Sequence, residues 1–253
     1  MNGRPPTQPP SLPPSADQTM EEDKPLKKMA EAFNELSIRL DQFPEGEEAR
    51  LELSPFSNAC SLVSPLFRCL GIAFKFAELD YVAKFKFVTN VWFDLSCILM
   101  WLPDMYLYDS FKVNDLAGAS KSISVLPLMM DDDVKSDCVR KAGSHTRNLL
   151  RVKRGIDMVK VLFEHIISTQ GNSLKEPASK AYAQVFSPYH GWAIRKAVAA
   201  GMYALPTKAQ LLNKLNEDET SARIQMQNFV ASAALVVKYI DQLFISRGLG
   251  TDW

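Results

Sequence analysis

Between Met226 and Phe244 the apolar residues fall at three- and four-residue steps: Met226, Phe229, Val230, Ala233, Val236, Val237, Ile240, Leu243 and Phe244. That period belongs to a long helix with one buried face. Gly248 and Gly250 then end it. A second long helix is predicted from about Asp133 to Ser168, with Leu149, Val152, Ile156, Val159, Phe163 and Ile166 on one stripe. Asp131, Asp132 and Asp133 stand at its predicted start, where carboxylates suit the positive end of the helix dipole. The pattern is helical from Leu26 onward. Ser64-Pro65 opens or kinks a further helix reaching about Lys84, and Ser187-Pro188 reads as an N-cap and first helical residue before Tyr189-His190-Gly191-Trp192. No segment alternates as a strand would, and 11 glycines among 253 residues are too few for a turn-rich β protein. The expected class is all-α.

Two segments stand apart. Seven of the 15 prolines lie in the first 25 residues, so residues 1–23 read as a disordered tail ahead of one domain at 24–253. Residues 85–112 hold eight aromatics and no helical or strand period, and they read as an insert between two helices. This segment is a poor membrane span: its apolar run is short, Pro103 breaks it, and Asp94 would cost about 2.5–3.5 kcal/mol at a bilayer centre.

Charge and motif exclude several functions. With 29 Lys+Arg against 29 Asp+Glu the net charge is zero, and no basic surplus favours nucleic acid. Four scattered cysteines with no C-x-x-C pair suit reduced thiols in the cytosol. No nucleophile elbow, phosphate-binding glycine loop, dinucleotide fingerprint or H-E-x-x-H occurs. The acidic run at 131–133 lacks the clustered His or Cys of a zinc site. No enzyme, cofactor or metal is therefore expected. His145 and His165, about 30 Å apart along one helix, cannot share a ligand, which leaves His190. Arg140, Arg147, Arg151 and Arg154, spaced 7, 4 and 3, fall on one helical face and adjoin Leu150, Met158 and Val161. A solvated basic face is the plain reading. Guanidinium forks beside apolar surface also suit an amphiphile with an anionic head. Asp80 and Lys84 form an i,i+4 pair that by itself would be a surface ion pair.

The stretches SPLFRCLGIAFKFAELDYVAK (64–84), DCVRKAGSHTRNLLRVKRGIDMVKVLFE (137–164) and SPYHGWAIRKAVAAGMYALPT (187–207) resemble the glycolipid transfer protein family, and most closely its plant accelerated-cell-death branch. That branch is similar to the ceramide-1-phosphate transfer proteins. The resemblance implies a two-layer helical sandwich of about eight helices, with a lipid headgroup site at the surface and an apolar pocket for the chains. It matches Asp80 and His190 to the residues that engage the ceramide amide, and Lys84, Arg147 and Arg151 to those that hold a phosphate. Neutral-glycolipid members read W-L-K-R-G where this chain reads R-V-K-R-G, so Arg151 replaces a flat sugar-stacking face with a phosphate fork. The implied function is transfer of a phosphosphingolipid, most closely ceramide-1-phosphate, between membranes by a cytosolic monomer that touches membrane surfaces transiently. The alternatives are neutral glycosphingolipid transfer, or a sphingolipid sensor regulating cell death through protein partners.

In the relatives the equivalents of Lys84 and Val113 are adjacent, so the insert interrupts the domain directly after a proposed phosphate ligand. It is either an intron read in frame or a genuine loop whose Trp92, Phe93 and Trp101 dock on membranes. His190 is expected in the first turn of its helix, where the dipole keeps the imidazole neutral and able to bond an amide.

Overall fold

The computed structural model describes residues 24–44, 46–70 and 106–253, with main chain alone for 106–112. The Pro-rich tail, most of the insert, and the two candidate residues Asp80 and Lys84 lie outside the described residues. The described helices, in order, are α1 (Pro25–Asp41), α2 (Leu53–Ser61), α3 (Ser64–Leu70), α4 (Tyr106–Ala119), α5 (Leu126–Lys135), α6 (His145–Ser168), α7 (Lys175–Val185), α8 (Trp192–Gly201), α9 (Lys208–Lys214) and α10 (Glu219–Ser246). Among them run two short 3-10 turns, Ser187–Tyr189 and Met202–Ala204. Among the described residues there is no strand, only the isolated bridges Glu52 to Val125 and Ser173 to Thr207.

The all-α expectation holds, and its two long helices form the centre. α10 packs against α1 and α6, while α6 also packs against α7, α4 and α5. The α10 stripe is buried at Met226, Phe229, Ala233, Val236, Val237, Ile240, Leu243 and Phe244. One ring from each of three helices meets there: Phe229 lies edge-on to Phe33 at 4.8 Å and to Phe163 at 5.5 Å. Edge-to-face pairs of this kind add about 0.5–1.5 kcal/mol beyond the area they bury. Asp218 caps α10 by accepting from the Ser221 N–H at 2.8 Å, and Gly248 and Gly250 leave it with φ of 64° and 66°. α10 is long and apolar enough to cross a membrane by composition, but its stripe is spent on the core.

α6 is buried on two sides. Leu149, Ile156, Val159, Phe163 and Ile166 supply one stripe, and Leu150, Met158 and Val161 supply the flank beside the arginines. A helix apolar on two sides must lie inside the bundle.

The structure corrects the boundary of this helix. The predicted single helix from Asp133 is two, α5 and α6, separated by a turn in which Asp137 has φ 47° and Gly143 φ 89°. The three aspartates therefore sit in the last turns of α5, and Arg140 lies in the connection rather than on the α6 face. The last seven residues of the expected insert, 106–112, form the start of α4.

Candidate functional site

The N-terminus of α6 is built by groups from three segments. Ser144 caps it, its Oγ accepting from the Arg147 N–H at 3.1 Å. The buried Asp133 carboxylate, at the end of α5, accepts from the Thr146 N–H at 2.7 Å and the Ser144 hydroxyl at 2.8 Å. The Ser144 hydroxyl has one proton and two acceptors in reach, Asp133 and the Val139 carbonyl at 2.9 Å. The carboxylate is the stronger of the two. Burial pushes the Asp133 carboxyl up, but the bonds from Thr146, Ser144 and Cys138 outweigh it and hold the group below its usual range. So a carboxylate does meet the positive end of the α6 dipole, supplied across a turn rather than along the helix. Asp115 of α4 adds a second anchor, with His145 Nδ1 at 2.8 Å and Asn148 Nδ2 at 2.9 Å.

Two of the predicted site residues rise from this braced turn. Arg147 and Arg151 are half-buried and one turn apart, so their Cβ atoms are about 5–6 Å from each other. Among the described residues the Arg147 guanidinium has no hydrogen bond or ion pair. The other two arginines of the predicted face have different work. Arg154 lies over the Tyr189 ring at 3.6 Å and donates to the main-chain oxygens of Thr251 and Trp253, both at 2.8 Å. Arg140 reaches the Leu249 carbonyl at 3.4 Å and the face of Trp253 at 5.2 Å. Lys153, from the same motif, turns the opposite way to Asp241 of α10 at 2.9 Å.

His190 is not in a helical turn as expected. It has φ −100° and ψ 134° just after the turn Ser187–Tyr189, and α8 begins at Trp192 with Gly191 as N-cap. Packing, rather than a dipole, sets the ring: it is 4% exposed, stacks on Phe186 at 5.6 Å and 17°, and meets the Tyr182 hydroxyl through Nδ1 at 2.8 Å. If Tyr182 donates, the imidazole proton sits on Nε2, and that nitrogen becomes the donor toward a carbonyl. Because Tyr189 is clamped by Arg154, the turn that carries His190 is tied to the arginine face of α6. Tyr182, Tyr189 and Asp133 were absent from the expected site. No spacing reveals Tyr182 or Tyr189, and Asp133 was visible only as one of an acidic run.

Asp131 and Asp133 are both engaged. Asp131 binds Arg247 Nε at 2.7 Å, and Asp133 caps α6. Cys60, Cys69 and Cys138 are free thiols, and burial pushes the Cys60 thiol up. Beside the His190 turn, α8 buries only Val198 and Gly201. It leaves Trp192 70% exposed and, just beyond its end, Tyr203 77% exposed, with Arg195 and Lys196 also in solvent. Lys175 Nζ covers the Tyr203 ring at 3.5 Å.

The sequence profile of the glycolipid transfer protein family matches residues 51–217. Accelerated cell death 11 of Arabidopsis thaliana is 57% identical over 234 residues, covering 92% of this chain and 98% of that one. The crystal structure of a variant of the Arabidopsis protein in complex with ceramide-1-phosphate superposes with a TM-score of 0.75 at 56% identity, covering 91% of this chain and 100% of that one. Human ceramide-1-phosphate transfer protein bound to the same class of lipid shares the fold, with a TM-score of 0.64 at 18% identity over 88% of this chain and 97% of that one. The fold is thus the two-layer helical sandwich that the sequence implied. By profile and by identity over most of its length, the chain belongs to the glycolipid transfer protein family.

Proposed function

We propose that this protein carries ceramide-1-phosphate, or a close phosphosphingolipid, between membranes without catalysing a reaction. The observation that carries the reading is the pair Arg147 and Arg151: two half-buried arginines one turn apart on a helix whose flank is apolar. A phosphate monoester is the ligand that such a pair suits, because each fork can take two oxygens. Complexes of the Arabidopsis relative with ceramide-1-phosphate support it. Lys84 would add a third cation. Asp80 would accept the ceramide amide N–H, and His190 Nε2 would donate to the amide oxygen. Arg151 in place of a flat indole argues against a neutral sugar head.

The tails supply capacity rather than selection. Burial is worth about 0.8 kcal/mol per CH₂, so two chains of roughly 15 carbons hold more than 20 kcal/mol relative to water. A bilayer offers nearly the same, so the difference between pocket and membrane is small. The head then decides, at about 1.5–3 kcal/mol for each charge-assisted bond.

Collection and delivery need a membrane face, and α8 with its neighbours fits one. Trp192 and Tyr203 have the amphipathic rings that settle at the headgroup level, and Arg195 and Lys196 favour anionic lipid. This face adjoins the His190 turn, so a docked protein would hold its headgroup site close to the bilayer. The protein would work as a cytosolic monomer.

The test is charge reversal. Arg151→Glu should abolish transfer of fluorescent ceramide-1-phosphate between vesicles while helicity and melting stay near wild type. A folded variant with undiminished transfer would remove the phosphate assignment.

A further inference from the structure

Arg154 is a cation on the same face as Arg147 and Arg151, yet its charge is spent within the protein. Its guanidinium carbon lies over the Tyr189 ring at 3.6 Å, and the group is held there by main-chain oxygens of Thr251 and Trp253. The C-terminal segment is itself anchored. The Trp253 indole N–H bonds the Leu249 and Gly250 carbonyls at 3.0 and 3.1 Å, and its ring packs 6.3 Å from Phe244 of α10. Arg140 also lies over that indole, at 5.2 Å. The Tyr189 hydroxyl reaches the Thr251 carbonyl at 3.5 Å. Three chain segments far apart in sequence, at 140–154, 187–190 and 249–253, therefore meet at one guanidinium.

We propose that Arg154 is a positioning residue for the headgroup site, pinning the Ser187–His190 turn against α6 with the docked C-terminal segment as its third partner. Resting on the lipid-transfer reading, the inference assigns a specific task to Arg154, Tyr189 and residues 249–253. His190 follows Tyr189 directly in the chain, so a displaced Tyr189 shifts the imidazole relative to Arg147 and Arg151. A planar guanidinium can serve a ring face and two main-chain oxygens together in a fixed geometry, which a flexible ammonium group holds less rigidly. The negative charge on both main-chain oxygens and on the ring face balances a cation set beside two others.

The test reads His190 directly in the lipid-free protein. Imidazole ¹H–¹⁵N NMR cross-peaks are assigned with His190→Gln, and ceramide-1-phosphate binding is measured in parallel. Arg154→Gln and Tyr189→Leu should each displace or broaden the His190 signals and leave those of His165 in place. Each should weaken lipid binding about tenfold, the loss of one well-placed amide bond. Tyr189→Phe keeps the ring and should match wild type in both. The double variant Arg154→Gln/Tyr189→Leu should be no worse than the worse single, because both break one link. A chain ending at Gly248 should behave as Arg154→Gln does. Unmoved His190 signals in folded Arg154→Gln, or in Tyr189→Leu should that variant alone fold, would overturn the proposal, even with a lower melting temperature. A wild-type protein that fails to bind the lipid would refute the transfer reading, while the NMR comparison would still decide the positioning role.

Discussion

Replacing Asp133 tests whether α6 is held at its start by a carboxylate from the preceding helix. The side chain is 7% exposed and accepts from the Thr146 N–H and the Ser144 hydroxyl. Each bond to a buried charge is worth about 1.5–3 kcal/mol. Asp133→Ala removes both acceptors and strands a buried N–H. Allowing for the part that the Ser144 hydroxyl recovers at the Val139 carbonyl, the loss should be about 3 kcal/mol. For a chain of this size that lowers the melting temperature by about 6–12 °C. Asp133→Asn keeps one acceptor oxygen for Thr146 and loses the charge, so about half the loss is expected. The pH dependence adds a signature. Because the folded carboxyl is held below its ordinary value, its contribution is fully present above the unfolded value of about 3.9. It is lost as pH falls through the depressed folded value. Urea unfolding should therefore show a gap between wild type and Asp133→Asn that is constant from pH 7 to about 5 and closes below about 4. Equal stability of Asp133→Ala and wild type, or a gap that widens in acid, would refute the capping argument.

Other perturbations have direct outcomes. Phe229→Ala should cost about 3–5 kcal/mol in urea unfolding, since its ring is fully buried between Phe33 and Phe163. Arg247→Met should destabilise by about 1–2 kcal/mol, because Arg247 bridges Asp131 and Glu48 at 2.7 Å each, while both carboxylates are exposed enough to recover water once the guanidinium is gone. Trp192→Ala should leave the melting temperature within about 1 °C, since the indole is 70% exposed, yet reduce vesicle binding and transfer together. Unchanged vesicle binding would remove α8 from the membrane face.

Periodicity revealed the parts of the fold that a helix decides along its own length. The α10 stripe and both sides of α6 were readable because burial repeats with the helical turn. Tertiary choices were not readable in the same way. The acidic run at 131–133 suits a helix N-terminus by charge, and the carboxylate does serve one, but a left-handed turn at Asp137 places it on the helix before. The four spaced arginines divide because Arg140 and Arg154 meet carbonyls about a hundred residues away. His190 was legible from its Tyr-His-Gly-Trp setting, whereas the 3-10 turn at Ser187-Pro188 and the Tyr182 contact depend on packing. Asp80 and Lys84 rest on the family resemblance alone.

The central claim is that the head, and specifically its phosphate, selects the cargo. The most direct measurement is vesicle-to-vesicle transfer by the full chain, comparing fluorescent ceramide-1-phosphate with fluorescent galactosylceramide at matched acyl length. Transfer of the phosphorylated lipid, with galactosylceramide at the spontaneous background, is the predicted result. Equal transfer of both, or preference for the sugar lipid, would contradict it.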